Sequence, residues 1–158
     1  MDYAEKEQYR DSLGRFVEGY NWRVYATLTF EDEEGKLNPV GFEWARKCVH
    51  WLVERLGRDV YAYLALEKGV AGKRTHCHVL LGRRGGGKFT EANKLALCRL
   101  VQRNWSHGKQ VVVEPYRPHG GAAQYLVKDS AEAPECGEFI GRPKKLRRRK
   151  RGKKQKEV

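Results

Sequence analysis

The chain reads as an α+β protein: a four-stranded antiparallel sheet with two helices on one face, and a further helix at the C-terminal end. Three observations predict this class. Two separate runs alternate apolar with polar or aromatic residues, the period of a strand half-buried on one face. Two other runs repeat apolar residues at helical spacing. Taken in chain order, the elements run strand, helix, strand, strand, helix, strand, helix.

The first strand is residues 22–30, where Val24, Ala26, Leu28 and Phe30 fall on one side and Tyr25, Thr27 and Thr29 on the other. After an acidic loop ending in Asn38-Pro39, residues 42–56 put Trp44, Cys48, Trp51, Leu52 and Leu56 on one helical arc, and Gly57 stands where the helix would stop. Residues 60–67 alternate again, opposing Val60, Ala62, Leu64 and Leu66 to Tyr61, Tyr63, Ala65 and Glu67. A loop from Lys68 to Thr75 then turns the chain into a third strand, residues 76–81, so the two strands form a hairpin. Past a Gly-rich break, Thr90 caps a helix running to about Trp105, with Leu97, Cys98, Leu100, Val101 and Trp105 on its apolar side. Residues 110–116 form the fourth strand. The last helix spans about Gly120 to Ser130, with Ala123, Leu126 and Val127 facing one way and Gly121, Tyr125, Lys128 and Asp129 the other. This element order is that of ferredoxin-like and RNA-recognition-motif sheets. It leaves the second face of the sheet open, showing Tyr25, Thr27, Thr29, Tyr61, Tyr63, Glu67, His76 and His78.

Composition sets the class of partner. The chain has 158 residues and a net charge of +12, yet 11 Lys or Arg and no acid lie between Arg142 and Lys156. Residues 1–141 hold the other 21 basic side chains against 19 acidic ones, so most of the excess charge sits in the tail. Three parts follow: an N-terminal extension, 1–21; a folded domain, 22–141; and a disordered basic tail, 142–158, available for phosphate contacts or nuclear import. No run approaches the roughly 18 apolar residues of a membrane span, and the charged start lacks the apolar core of a secretory signal. A cytoplasmic location is expected, or a nuclear one in a eukaryotic host. Cys48, Cys77, Cys98 and Cys136 form no C-x-x-C pair and are expected to be reduced thiols.

The segment Arg74-Thr75-His76-Cys77-His78 carries the chemistry. Alternation along a strand sends His76 and His78 to one face and Cys77 to the other. Pairing Glu67 with His76 in the hairpin puts Ala65 opposite His78 and a carboxylate beside both imidazoles. Two histidines and one carboxylate suit Mn²⁺ or Mg²⁺ in an open arrangement, and zinc would bind too, more tightly. His119 is the substitute third ligand. On the last helix Tyr125 and Lys128 are three residues apart and share a face.

These motifs resemble the HUH endonucleases, in particular the rolling-circle replication initiators of plasmids and of single-stranded DNA viruses and phages. Ala26-Thr27-Leu28-Thr29-Phe30 looks like their first motif, His76-Cys77-His78 like the second, and Tyr125-Leu126-Val127-Lys128 like the Tyr-x-x-Lys third. The resemblance covers roughly residues 22–130. It implies a metal-dependent, site-specific nickase and strand-joining enzyme, with Tyr125 as nucleophile, Lys128 as its catalytic partner, and Glu67, His76 and His78 on the metal. A covalent 5′-phosphotyrosine intermediate, single-stranded origin DNA in extended or hairpin form, and a separate helicase with host replication proteins are implied as well. Cys77 stands where a bulkier apolar residue is common, and a single tyrosine implies a single-tyrosine enzyme.

DNA contacts are expected from Tyr25, Thr27, Thr29, Tyr61 and Tyr63 on the open face, and from Arg83, Arg84 and Lys88 in the Gly-rich segment. That segment misses the P-loop pattern because Phe89 stands where Ser or Thr is needed. Two other functions use the same features. A single-tyrosine HUH transposase commonly carries a glutamine four residues after its tyrosine, where this chain has Asp129. A non-catalytic single-strand binder would stack bases on Tyr25, Tyr61 and Tyr63, and its binding would survive chelation.

Overall fold

A computed structural model describes residues 1–30, 42–67, 76–85, 90–108, 111–131 and 137–145. The Lys68 to Thr75 loop, Lys88, Cys136 and the tail from residue 146 therefore lie outside the described residues. The chain is α+β, with an open five-stranded antiparallel sheet in the order β4-β1-β3-β2-β5 and four helices among the described residues. The strands are β1 (Trp22–Thr29), β2 (Val60–Glu67), β3 (His76–Arg83), β4 (Val111–Pro115) and β5 (Gly137–Ile140). The helices are α1 (Tyr3–Glu18), α2 (Phe42–Leu56), α3 (Glu91–Asn104) and α4 (Ala122–Leu126).

The periodicity of the sequence produces the first layer directly. Val24, Ala26, Leu28, Leu64, Val79 and Leu81 meet Cys48, Leu52, Leu97 and Val101 of α2 and α3 in one buried cluster. Thr90 caps α3 by accepting from the Asn93 amide at 3.2 Å, a contact typically worth about 1 kcal/mol. The β2–β3 hairpin has the expected register, Glu67 opposite His76 and Ala65 opposite His78. Cys77 faces the core, and Cys48, Cys77 and Cys98 are free, buried thiols.

The second face is not left open. The N-terminal extension folds into α1, started by a capping box in which Asp2 accepts from the Glu5 amide and Glu5 from the Asp2 amide. Its C-terminal half lies on the sheet beside α4, and Val17, Tyr20, Trp22, Tyr61, Tyr63, Leu80, Tyr116, Ala123, Leu126 and Val127 form a second buried cluster. Gly14 permits the close approach of α1 and α4: a Cβ there would lie 3.3 Å from Gln124 Cγ and 3.5 Å from Val127 Cγ2. The Gln124 amide also donates to Glu18 at 3.2 Å.

Three further differences from the sequence reading have local causes. A fifth strand, β5, extends the sheet beyond β2 and brings Phe139 against Tyr63, ring centroids 4.8 Å apart. The last helix is one short turn, because Lys128 N donates to Tyr125 O and Ser130 N to Val127 O, three-residue spacings that tighten the chain into turns. Residues 142–145 do not belong to a free tail: Lys145 bridges to Tyr20, and Lys144 O accepts from the Asn21 amide at 2.8 Å.

Candidate active site

Strand alternation and the short helix bring five side chains to one end of the sheet. Glu67 ends β2, His76 and His78 begin β3, and α4 with the turn after it lowers Tyr125 and Lys128 onto them. His78 Nε2 lies 2.8 Å from Glu67 Oε2, and Lys128 Nζ lies 2.8 Å from Glu67 Oε1, so the carboxylate is held from both sides. The Tyr125 hydroxyl is 3.5 Å from Glu67 Oε2. Its ring stands edge-on to His78 at 5.1 Å, and Lys128 Nζ sits 3.9 Å above that ring, a cation–π contact. At 44% exposure Tyr125 is open to a substrate, whereas its neighbours Leu126 and Val127 are buried.

The first strand supplies the support. Tyr25 Oη and Thr27 Oγ1 lie 3.1 and 3.2 Å from His78 Nδ1. When His78 Nε2–H donates to Glu67, Nδ1 is left to accept from those hydroxyls, which fixes the ring by both nitrogens. Burial lowers the His78 pKa even against the pull of Glu67, so the imidazole is neutral at neutral pH. Burial works to raise the Glu67 pKa, but hydrogen bonds from Lys128 and His78 outweigh it and hold the carboxyl down to about 2. Lys128 is shifted the opposite way: burial opposes its charge, and the bonds to Glu67 and Tyr125 raise its pKa above the usual lysine value. The site thus holds one carboxylate, one ammonium and a neutral histidine.

The donor types suit a divalent cation. His76 lies parallel to His78, with centroids 6.4 Å apart, and its Nδ1 is buried without a hydrogen-bond partner. That orphaned nitrogen lies next to a neutral imidazole and across the hairpin from an ionised carboxylate, the donor types of the expected ligand set. Among the described residues no three His, Cys, Asp or Glu side chains already converge as a ligand cluster, and Glu67 is hydrogen-bonded to Lys128 and His78. His119, the substitute ligand, is 89% exposed and pairs with Glu18 at 3.4 Å, away from this end of the sheet.

The residues expected to contact DNA divide. Tyr25 and Thr27 are half-buried at the site. Thr29 is 5% exposed, Tyr63 4% and Tyr61 fully buried, so none of the three can offer a surface to a base. For the two tyrosines the cause is the second layer: Tyr61 lies across Gly82, its cross-strand partner, beneath Trp22, and Tyr63 lies under Phe139. Arg83 is occupied by Asp59, at 3.3 Å, and by the Leu56 carbonyl, while Arg84 donates to Arg142 O at 2.9 Å. Arg83 ends β3, about 16 Å along the strand from His78, and Arg84 lies just beyond it.

Sequence reasoning passed over α1, Glu114 and Arg117. Asp2-x-x-Glu5 and the spacing of Leu13, Val17 and Tyr20 were available as helix signals. Alternation in the fourth strand already separates Glu114 from Val111 and Val113, and the register sets Glu114 opposite Tyr25. Glu114 and Arg117 join Tyr25 and Tyr125 in lining an open cavity of about 390 Å³ between β4 and α4. Comparison of the chain with protein-family models, with curated proteins and with solved structures found no match.

Proposed function

We propose that the chain is a metal-dependent, site-specific endonuclease that nicks and rejoins single-stranded DNA through a covalent bond to Tyr125, as an initiator of rolling-circle replication does. The observation that carries this reading is the meeting of an exposed tyrosine hydroxyl, a lysine and an ionised carboxylate beside two histidines at one sheet end.

Tyr125 Oη attacks the scissile phosphorus in line with the 3′-oxygen, which leaves with the electrons of its P–O bond and takes up a proton. Glu67, ionised and 3.5 Å from the hydroxyl, orients the nucleophile by accepting its hydrogen bond, and the phenol proton is passed through solvent to the departing 3′-oxygen. Lys128, above the ring and bonded to Glu67, offsets the negative charge that grows on the phenol oxygen and keeps the carboxylate in place. The product carries its 5′-phosphate on Tyr125. A phenol pKa near 10 makes phenolate a good leaving group, so an incoming 3′-hydroxyl reverses the step and rejoins the strand. Glu67, His76 and His78 would hold Mn²⁺ or Mg²⁺, which when bound supplies Lewis-acid charge at a nonbridging phosphate oxygen.

Single-stranded origin DNA is the proposed substrate, with a separate helicase and host replication proteins as partners. Burial of Tyr61 and Tyr63 removes two of the three stacking residues that a non-catalytic binder would use. A denaturing gel tests the reading. Protein, single-stranded origin candidates and manganese should give a covalent adduct that EDTA prevents; binding without any adduct under all metal conditions would contradict it.

A further inference from the structure

We propose that the cavity between β4 and α4 is a guanine pocket, in which Glu114 and Arg117 read one base of the DNA strand next to Tyr125. The proposal rests on the reading of the chain as an enzyme of single-stranded DNA, and it assigns the feature that would fix where the strand is cut.

The cavity measures about 390 Å³, within the range of small-ligand sites, and Tyr125 forms part of its wall. An occupant therefore touches the proposed nucleophile. Tyr25 offers a second aromatic wall, and Glu114 is its cross-strand partner, so carboxylate and ring stand side by side on the site face of the sheet. Arg117 approaches from the β4–α4 connection. In that connection Gly121 has φ +83°, and a Cβ there would meet nothing within 4 Å, so this stretch of the rim is bare.

The charges argue for a base and against a phosphate. Glu114 is exposed, and among the described residues neither it nor the Arg117 side chain has a hydrogen-bond or ion-pair partner. An exposed carboxylate beside a nucleophile that must accept a polyanion repels the DNA backbone, and it is favourable only if it meets hydrogen-bond donors. In a single strand the donors are the imino and amino groups on the free base edges. Guanine alone carries an imino N–H beside an amino group, two adjacent donors for the two oxygens of one carboxylate. Its O6 and N7 are the acceptors that arginine reads in fork geometry. Thymine has no amino group, and adenine and cytosine each place a single amino donor beside an unprotonated ring nitrogen, which would face the second carboxylate oxygen.

Fluorescence anisotropy in EDTA, with no cleavage possible, measures the preference. The probes are short oligothymidylates that are uniform or carry one central guanine, adenine or cytosine. The guanine strand should bind about tenfold tighter than the uniform one, the discrimination expected of one bidentate base contact. Glu114→Gln should bring the four strands to near parity while its circular dichroism stays that of the wild type. Equal binding of all four by the wild type, a stronger response to cytosine or adenine, or a guanine preference that survives Glu114→Gln would overturn the pocket. The same strands incubated with manganese separate the two ideas. Adduct formation without guanine preference refutes the pocket and leaves the cutting reaction, whereas guanine preference with no adduct on these strands or on any origin candidate leaves the pocket and refutes the reaction.

Discussion

Replacing Gly14 by leucine should slow the proposed DNA cleavage far more than it unfolds the protein, because Gly14 sets the height of the helix that carries Tyr125. A Cβ at this position already lies 3.3 Å from Gln124 Cγ and 3.5 Å from Gln124 Cα and Val127 Cγ2. Alanine fills that contact and regains about 1 kcal/mol of helix propensity, so Gly14→Ala should leave stability within about 1 kcal/mol of the wild type. Leucine regains a similar propensity but pushes three more carbons between the helices, an overpacking cost of about 1–3 kcal/mol. The net loss should be no more than about 2 kcal/mol, a few degrees in Tm for a chain of this size. Relief comes by moving α4 outward, since its short turn is tied to α1 mainly by packing and by the Gln124–Glu18 bond. A displacement of about 1 Å at the nucleophile is enough to cost about 100-fold in rate. Urea denaturation gives the first number, and single-turnover adduct formation at saturating DNA with manganese gives the second. A folded Gly14→Leu protein that forms adduct at the wild-type rate would refute the view that α1 positions the catalytic turn.

Three other outcomes are expected. Alanine at Glu67, His76 or His78 should weaken manganese binding by calorimetry and suppress nicking, whereas Cys77→Ala should leave manganese affinity intact and cost on the order of 1 kcal/mol of stability from a small core cavity. Burial pushes Tyr61, Tyr63 and Tyr116 up to about 12, so above pH 10 the unfolded chain loses these protons before the folded one does; stability should fall between about pH 10 and 12, by on the order of 1–3 kcal/mol per tyrosine, and be unaffected by these groups below pH 10. Gly82→Ala should be strongly destabilising in thermal melts, because its Cβ would lie 2.4 Å from Tyr61 Cζ and 2.6 Å from Asn21 O, with backbone on one side.

What could be read from the sequence was what periodicity encodes. The two alternating strands and the α2 and α3 arcs follow from repeats of 2 and 3.6 and are present, as is the Glu67–His76 pairing, but the strands expected to be half-buried are largely buried on both faces. The same parity put Glu67, His76 and His78 on one face and Cys77 on the other. Parity says which face a side chain takes and nothing about what covers that face. Tyr61, Tyr63 and Thr29 have the right parity for DNA contact and are buried, the two tyrosines because α1 and β5 supply a second layer from segments distant in the chain, and Thr29 with Gly108 packed against it. β5 has only four residues, too short for alternation to stand out from its surroundings. α1 was readable in its capping box, but its apolar stripe is narrow, since only its C-terminal half meets the sheet. Lys128 sits beside Tyr125 as the helical pattern suggests, although a turn of three-residue hydrogen bonds places it there.

The central claim is that Tyr125 is the atom-bearing nucleophile of a strand-transfer reaction, and peptide mapping of the covalent product tests it most directly. Protein incubated with manganese and single-stranded DNA, denatured, digested and analysed by mass spectrometry should carry a nucleotide 5′-phosphate on the peptide containing Tyr125. Tyr125→Phe should yield no adduct while binding DNA nearly as the wild type does, since only one hydroxyl, 3.5 Å from Glu67, has been removed. A nucleotide found on Tyr25 or Tyr116, or an adduct that persists in Tyr125→Phe, would contradict the account.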